Sequence, residues 1–210
     1  RVFPDGRKPA GDGRTGDPLN ERRRTARQMR RQRDRRIRRK KTMLRYLIAS
    51  GYLPAEKASR KTIERLDPYS LRNEAVSRLL RKEELARILM QLTGRRGFKS
   101  NRKEQVASQN KETSGMLAGI ARLSATLGGK TLGQWMYKEL KEKGVLRFRP
   151  ETIKSKINYS FYPSREMYEK EFEAIRRIQE SGHSKLDWDK LYRIIYFQRP
   201  LKRPARGTCL

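Results

Sequence analysis

The residues best suited to chemistry lie between positions 18 and 49. Arg22, Arg23, Arg24, Arg27, Arg30, Arg31, Arg33, Arg35, Arg36, Arg38 and Arg39 are followed by Lys40 and Lys41, with Asp34 the only acid after Glu21. A guanidinium presents a planar fork that matches two phosphate oxygens at once, which an ammonium does not. On a helix, like charges four residues apart repel by about 0.2–0.5 kcal/mol per pair. A run this dense therefore requires an anion close to more than one side. The segment Arg95-Arg96-Gly97-Phe98-Lys99-Ser100-Asn101-Arg102-Lys103 is a second concentration of phosphate donors. Its Gly permits close backbone approach, and its Phe can anchor the turn or stack on a base.

Catalytic chemistry is poorly provided for. His183 and Cys209 are the only residues of their types, which excludes a four-ligand structural zinc site and an intramolecular disulfide. Both read as unremarkable surface residues, and a lone Cys fits a reducing compartment. Metal-assisted phosphodiester cleavage needs clustered carboxylates, whereas the acids here are scattered beside Lys and Arg. Asp187 and Asp189 are two apart, so they do not share a helix face. Asp34 lies four residues from both Arg30 and Arg38 and relieves their repulsion. Arg147-Phe148-Arg149 interleaves an aromatic with two cations and is a weaker binding signal. Trp135, in helical register with Leu132 and Leu140, reads as core, as do Tyr168, Phe172, Trp188 and Tyr192.

The whole chain shares the bias. Among 210 residues, 53 are Lys or Arg and 23 Asp or Glu, a net charge of +30. Charged residues make up 36%, against about 25% in ordinary globular chains. That balance points to a polyanionic partner. No apolar run approaches membrane-spanning length and no secretory leader is present, so the expected location is the bacterial cytoplasm. A chain opening on Arg1 reads as a piece of a longer protein.

The elements that position these residues are helical. Residues 1–17, rich in Gly and Pro, form a linker. Asp17-Pro18 signals a helix start and Ser50-Gly51 a stop, giving one rod of about 45–50 Å. Its apolar seam is thin: Ala26, Met29, Ile37, Leu44, Leu47 and Ile48. Residues 55–66 are polar and undecided. Asp67-Pro68 opens a short helix. Leu85, Ile88, Leu89 and Leu92 mark another, with Glu83 paired to Arg87. Leu117 to Leu127 mark the next, stopped by Gly128-Gly129. Thr131 and Gln134 form a capping box for a helix that Gly144 closes. Residues 145–162 lack a helical period and suit short strands or an extended loop. Ser164 and Asp187 cap the last two helices. The expected fold is all-α: an arginine-rich helix over 18–50, then a bundle of five or six shorter helices over 51–210.

These motifs, in this order, resemble a known family. Glu21-Arg22-Arg23-Arg24-Thr25-Ala26-Arg27 and its continuation resemble the bridge helix of type II CRISPR RNA-guided DNA endonucleases. The Arg95–Lys103 segment is similar to a recognition-lobe signature of their compact (II-C-like) branch. Tyr162-Pro163-Ser164-Arg165-Glu166-Met167-Tyr168 and Phe197-Gln198-Arg199-Pro200-Leu201-Lys202 resemble later motifs of that lobe. Val2-Phe3-Pro4-Asp5-Gly6 resembles the exit from the first nuclease strand. Arg81-Lys82 departs from the pattern, standing where a Thr cap is common. The resemblance implies guide-RNA contacts for Arg23, Arg24, Arg27, Arg30, Arg31, Arg33, Arg35, Arg36, Arg38 and Arg39. It implies grips on RNA phosphates or 2′-hydroxyls for Arg95, Arg96, Lys99, Asn101, Arg102 and Lys103. The implied partners are crRNA and tracrRNA, target DNA as heteroduplex, the remaining nuclease lobe, and an acidic phage-encoded inhibitor able to imitate a phosphate array. The RuvC and HNH nuclease residues would lie outside the chain, leaving it non-catalytic and without a cofactor; Mg²⁺ would belong to the absent domains. The competing reading is a general polyanion-binding structural protein of ribosomal or nucleoid type.

Overall fold

The arginine-rich stretch folds as one helix, α1 (Glu21–Ala49), about 44 Å long at 1.5 Å per residue. The computed structural model describes residues 20–99, 111–144, 146, 151–153, 156–158 and 161–198. The expected start at Asp17-Pro18 lies outside them. The stop falls where the sequence puts it: Ser50 N–H donates to Tyr46 O at 3.0 Å and Gly51 takes φ +75°.

Seven shorter helices follow among the described residues: α2 (Lys57–Glu64), α3 (Pro68–Glu74), α4 (Lys82–Gly94), α5 (Lys111–Leu127), α6 (Leu132–Lys143), α7 (Arg165–Gln179) and α8 (Trp188–Tyr196). The architecture is all-α, with one small hairpin. Its strands β1 (Glu151–Ile153) and β2 (Lys156–Asn158) pair antiparallel, Thr152 opposite Ile157. The one helix the sequence leaves undecided is α2. Ile63 is its only buried residue, so it has no apolar period to read.

The capping chemistry explains the boundaries. Asp67 accepts from Tyr69 N–H (3.0 Å) and Ser70 N–H (3.3 Å). Thr131 and Gln134 exchange bonds at 3.3 and 2.9 Å, and Gly144 closes α6 at φ +66°. Ser164 and Asp187 accept from Met167 and Lys190. At α4 no Ser or Thr is needed. Glu84 reaches back to the Arg81 backbone N–H at 2.9 Å and also pairs with the Arg81 and Arg78 guanidinium groups. The expected Glu83–Arg87 pair does not form; Arg87 Nε instead donates to Leu66 O at 3.0 Å.

Helix α4 is the spine of the core. Leu85, Ile88, Leu89 and Leu92 are fully buried, in one core cluster with Met43 and Leu47 of α1 and Leu191 and Ile195 of α8, the two helices packed on α4. On the other side Phe172 lies among Trp188, Tyr192 and Tyr196, with centroids 5.8–5.9 Å away. Trp135 is buried against Phe161.

One ion pair lies inside this core. Arg72 of α3 donates to Glu171 of α7 from Nε (2.6 Å) and Nη2 (2.5 Å), both side chains wholly buried. Arg72 also lies over the Tyr168 ring, 5.7 Å from its centroid, and its Nη1 approaches Met136 Sδ and Gln91. Burial works against its charge, but the Glu171 carboxylate holds its pKa above the ordinary value. Gly133 makes the room: a Cβ there would sit 2.4 Å from Glu171 Oε1 and 2.9 Å from Arg72 Cβ.

His183 is not the surface residue the sequence suggests. It is 5% exposed. Its Nε2 lies 3.0 Å from Leu80 O, and its Nδ1 lies 3.0 Å from the Tyr52 hydroxyl. Since Leu80 O can only accept, Nε2 carries the proton and Nδ1 accepts from Tyr52 in the neutral ring.

Two outcomes follow. Glu171→Gln leaves a buried guanidinium uncompensated, a loss of about 3–5 kcal/mol, and a thermal melt should show Tm lower by about 6–20 °C. The pKa of His183 is lowered chiefly by burial, with Lys82 adding to it and the Leu80 bond opposing. The neutral ring is therefore the folded form. Its contribution is complete above the ordinary pKa of about 6.5 and declines as pH falls below it. Melts between pH 7.5 and about 5 should show a falling Tm that His183→Gln flattens.

Candidate nucleic-acid interface

Every residue of α1 from Glu21 to Arg38 is exposed. This stretch extends about 27 Å beyond the point where the helix is gripped. Met29 and Ile37, part of the thin apolar seam, are 65% and 44% exposed. Burial begins at Met43, which that seam omitted, because only the last turns of α1 lie on α4 and α8.

On the projecting part, Arg23, Arg27, Arg31, Arg35 and Arg39 follow one another at four-residue spacing, a continuous ridge along the helix. Arg24, Arg30, Arg33, Arg36 and Arg38 fill the flanking faces. Asp34 does little against this charge. Its nearest cation is Arg33 Nε at 3.9 Å, rather than Arg30 or Arg38, and both groups are more than half exposed.

The ridge meets the bundle at two places. Arg36 and Lys40 cross the end of α4. A Cβ on Gly94 would come within 3.2 Å of Lys40 Cε and 3.8 Å of Arg36 Nη2. The last turn of α4 has no basic residue of its own, so cations from α1 lie near the negative end of its dipole. One residue along, Arg39 faces Arg96 and Arg165. Arg165 is buried; its Nε donates to Arg96 O (3.0 Å) and its Nη1 to Tyr196 O (3.3 Å). Arg96 is half-buried and donates through Nη2 to Tyr196 O (2.8 Å) and Phe197 O (2.9 Å).

These contacts leave donors over. The Nε–H groups of Arg39 and Arg96 are buried with no hydrogen-bond partner among the described residues. No carboxylate pairs with either guanidinium there. Burial and the Arg165 and Arg39 charges push Arg96 down to about 10. Burial, Arg165 and Arg36 lower Arg39 as well. Three guanidinium groups, on α1, in the turn after α4 and on α7, thus lie together, and two of them keep an Nε donor unmatched among the described residues.

The turn after α4 is held against the start of α7. Phe98 N–H donates to Pro163 O at 3.1 Å, and Arg165 N–H to Phe98 O at 2.7 Å. Phe98 meets the Tyr162 ring edge-on at 6.1 Å, so it anchors the turn. Gly97 takes φ +68°, and a Cβ on it would lie 2.3 Å from Ser164 O. The turn exposes Arg95, whose guanidinium lies over the Tyr69 ring at 5.9 Å, and Lys99. Asn101, Arg102 and Lys103 lie outside the described residues, as do Arg147, Phe148, Arg149 and Cys209.

Arg165 was not among the expected contacts, although a signal exists. It is the first residue of α7, where the dipole disfavours a cation, so its position calls for a tertiary reason. The arrangement offers cationic donors. Among the described residues no three His, Cys, Asp or Glu side chains cluster as a metal site, and His183 is locked inside. No described helix is long and apolar enough to cross a membrane.

No protein-family model matches the chain, and no curated protein matches it. Solved structures do. St1Cas9, in a complex with sgRNA and tDNA59-ntPAM and in a dimeric assembly with sgRNA, tDNA20 and AcrIIA6, matches with TM-score 0.67 and 24% identity over 91% of this chain and 22% of its own. Campylobacter jejuni Cas9 in complex with sgRNA and target DNA matches with TM-score 0.66 and 21% identity over 92% and 28%. Streptococcus thermophilus Cas9 in complex with the AGAA PAM matches with TM-score 0.58 and 22% identity over 90% and 16%. The chain thus spans about a sixth to a quarter of the chains it matches and has the fold of that region of Cas9.

Gly97→Ala should strain the positive-φ turn and force it off α7, lowering stability by about 1–3 kcal/mol. Urea unfolding should show the reduced midpoint, and a silent substitution would mean that the turn is not held at Ser164.

Proposed function

We propose that this chain is the guide-RNA and RNA–DNA heteroduplex binding module of a CRISPR-associated RNA-guided DNA endonuclease, uniting its bridge helix with part of its recognition lobe. The observation that carries this reading is the Arg39–Arg96–Arg165 cluster at the foot of an exposed arginine ridge. Orphaned guanidinium donors beside unpaired positive charge call for a phosphodiester backbone, and the ridge continues the same chemistry along its track. The likeness in fold to Cas9 chains solved with sgRNA and DNA supports it.

In this reading Arg23, Arg27, Arg31 and Arg35 take successive phosphates, and Arg24, Arg30, Arg33, Arg36 and Arg38 serve strands on the flanking faces. Arg95 and Lys99, with Asn101, Arg102 and Lys103 beyond them, grip phosphates or 2′-hydroxyls. A double helix is recognised through A-form shape and backbone. The module is non-catalytic and uses no cofactor; cleavage, and any Mg²⁺, belong to the nuclease domains of the whole protein. An acidic inhibitor protein imitating the phosphate array would compete for the ridge.

The test is a competition at about 200 mM salt, with a labelled hairpin mimicking a CRISPR repeat:anti-repeat and unlabelled DNA duplex, unrelated hairpin RNA and heparin as competitors. A preference of tenfold or more for the repeat hairpin, about 1.4 kcal/mol, is expected. Equal competition by every polyanion favours the general polyanion binder.

Arg27→Ala/Arg31→Ala/Arg35→Ala should weaken all RNA binding and reduce the slope of log K against log salt by about 2–3. If the slope is unchanged, the ridge is not in contact with phosphates.

A further inference from the structure

A cavity of about 680 Å³ opens between α1, α2, α3 and α4. It falls within the range of small-ligand sites, about 300–1,000 Å³, and is too small for a helix or a duplex. We propose that it receives one unstacked nucleotide of the bound RNA, base inward and phosphate at the rim, an inference that rests on the RNA-binding reading above.

The interior is apolar, formed by Leu44, Leu53, Ile63 and Met90. One wall is flat: Tyr69 and the Arg95 guanidinium lie over each other at 5.9 Å, a platform on which a base stacks. The Glu64 carboxylate and the Gln91 amide are the lining groups able to read a base edge.

The mouth is cationic. Arg60 and Arg87 are braced on backbone carbonyls, Arg60 on Pro54 O and Ala55 O and Arg87 on Leu66 O. Arg36 and Lys40 are different: among the described residues no acid pairs with either, and both reach the rim where α4 ends at Gly94. Glu64 is the only acid in the lining. This combination disfavours an acyl chain or a basic peptide segment. It suits a planar heterocycle carrying one phosphate.

The continuity of the rim with the ridge strengthens the assignment. Arg35 and Arg39 belong to the phosphate track, and Arg36 and Lys40 are the next positions around the same helix. A strand following that track can turn one base off it into the cavity without leaving the arginines.

The 210-residue chain would be titrated with two RNA hairpins, identical except that one carries a single bulged adenine and the other is fully paired. The bulged hairpin should bind about tenfold tighter. That ratio should fall toward one in Tyr69→Leu, which removes the aromatic wall, and in Met90→Trp, which fills the cavity; thermal melts check that both variants fold. In parallel, the Met90 methyl resonance should shift with adenosine monophosphate and stay in place with ribose 5-phosphate.

Tight and equal binding of both hairpins would overturn the nucleotide pocket and leave the RNA-binding reading standing. Failure of both hairpins to bind would overturn the RNA reading and the pocket with it. A Met90 shift with ribose 5-phosphate, or with polyglutamate but not adenosine monophosphate, would reassign the cavity to phosphate alone or to an acidic protein.

Discussion

The buried pair between Arg72 and Glu171 is the constraint on which the rest of this structure depends. Each charge is tolerable in the core only because the other is there, held two bonds at a time, with Tyr168 and Gln91 around them and Gly133 leaving the space. The requirement fixes α3 against α7 and brings α6 to close over them. Gln179, two turns further along α7, then ties the α3–α4 connection by bonds to Ala75 O, Arg78 O and the Leu80 N–H. With those elements fixed, α4 has a rigid bed, and α1 has something to be anchored to.

Anchoring matters because of how the charges are divided. Many acids are engaged within the bundle: Glu74 and Glu84 on Arg78, Glu84 on Arg81, Glu180 and Asp189 on Arg176, Glu139 on Lys143. Helix α1 is left with Glu21 and a weakly placed Asp34 against twelve arginines and two lysines. Its own repulsion would unwind it in isolation. Burial of Met43 and Leu47 holds the last turns helical, and the free part propagates from them. The bundle thus acts as the nucleus for a rod whose charges stay largely unpaired. Where rod and bundle join, Arg39 and Arg96 each keep a buried Nε–H without a partner among the described residues, with Arg165 close by.

Much of this was legible in the residues. Asp67, Thr131, Ser164 and Asp187 declare helix starts because their short side chains satisfy backbone N–H groups one turn on, a local interaction that needs no tertiary knowledge. Gly51, Gly128, Gly129 and Gly144 declare the stops for the same reason, each at positive φ. Helix α2 was not legible, since Ile63 alone carries its buried face. The role of Glu84 at Arg81 was not legible either, because an Arg at the cap position gives no sign that the acid three residues on will act in place of a hydroxyl. Helical spacing put Met29 and Ile37 on one thin seam with Leu44 and Leu47, but it tells which residues share a face and not whether anything covers it.

The sequence by itself therefore determined the helical class, the caps and the long arginine rod, all properties set within a few residues of one another. Only the tertiary structure decided which cations are committed and which are left open. Arg95 and Arg96 are neighbours in a single motif, yet one is exposed on Tyr69 and the other is tied to the carbonyls of Tyr196 and Phe197, a hundred residues away. Arg72 and Arg165 look like further members of the basic excess, yet one is neutralised in the core by Glu171 and the other is buried on the carbonyls of Arg96 and Tyr196. His183, apparently a surface residue, closes a buried network with Tyr52 and Leu80. The physical reason is common to all of them. The state of a charged or polar group depends on its desolvation and on partners distant in the chain, and neither quantity exists until the helices have packed.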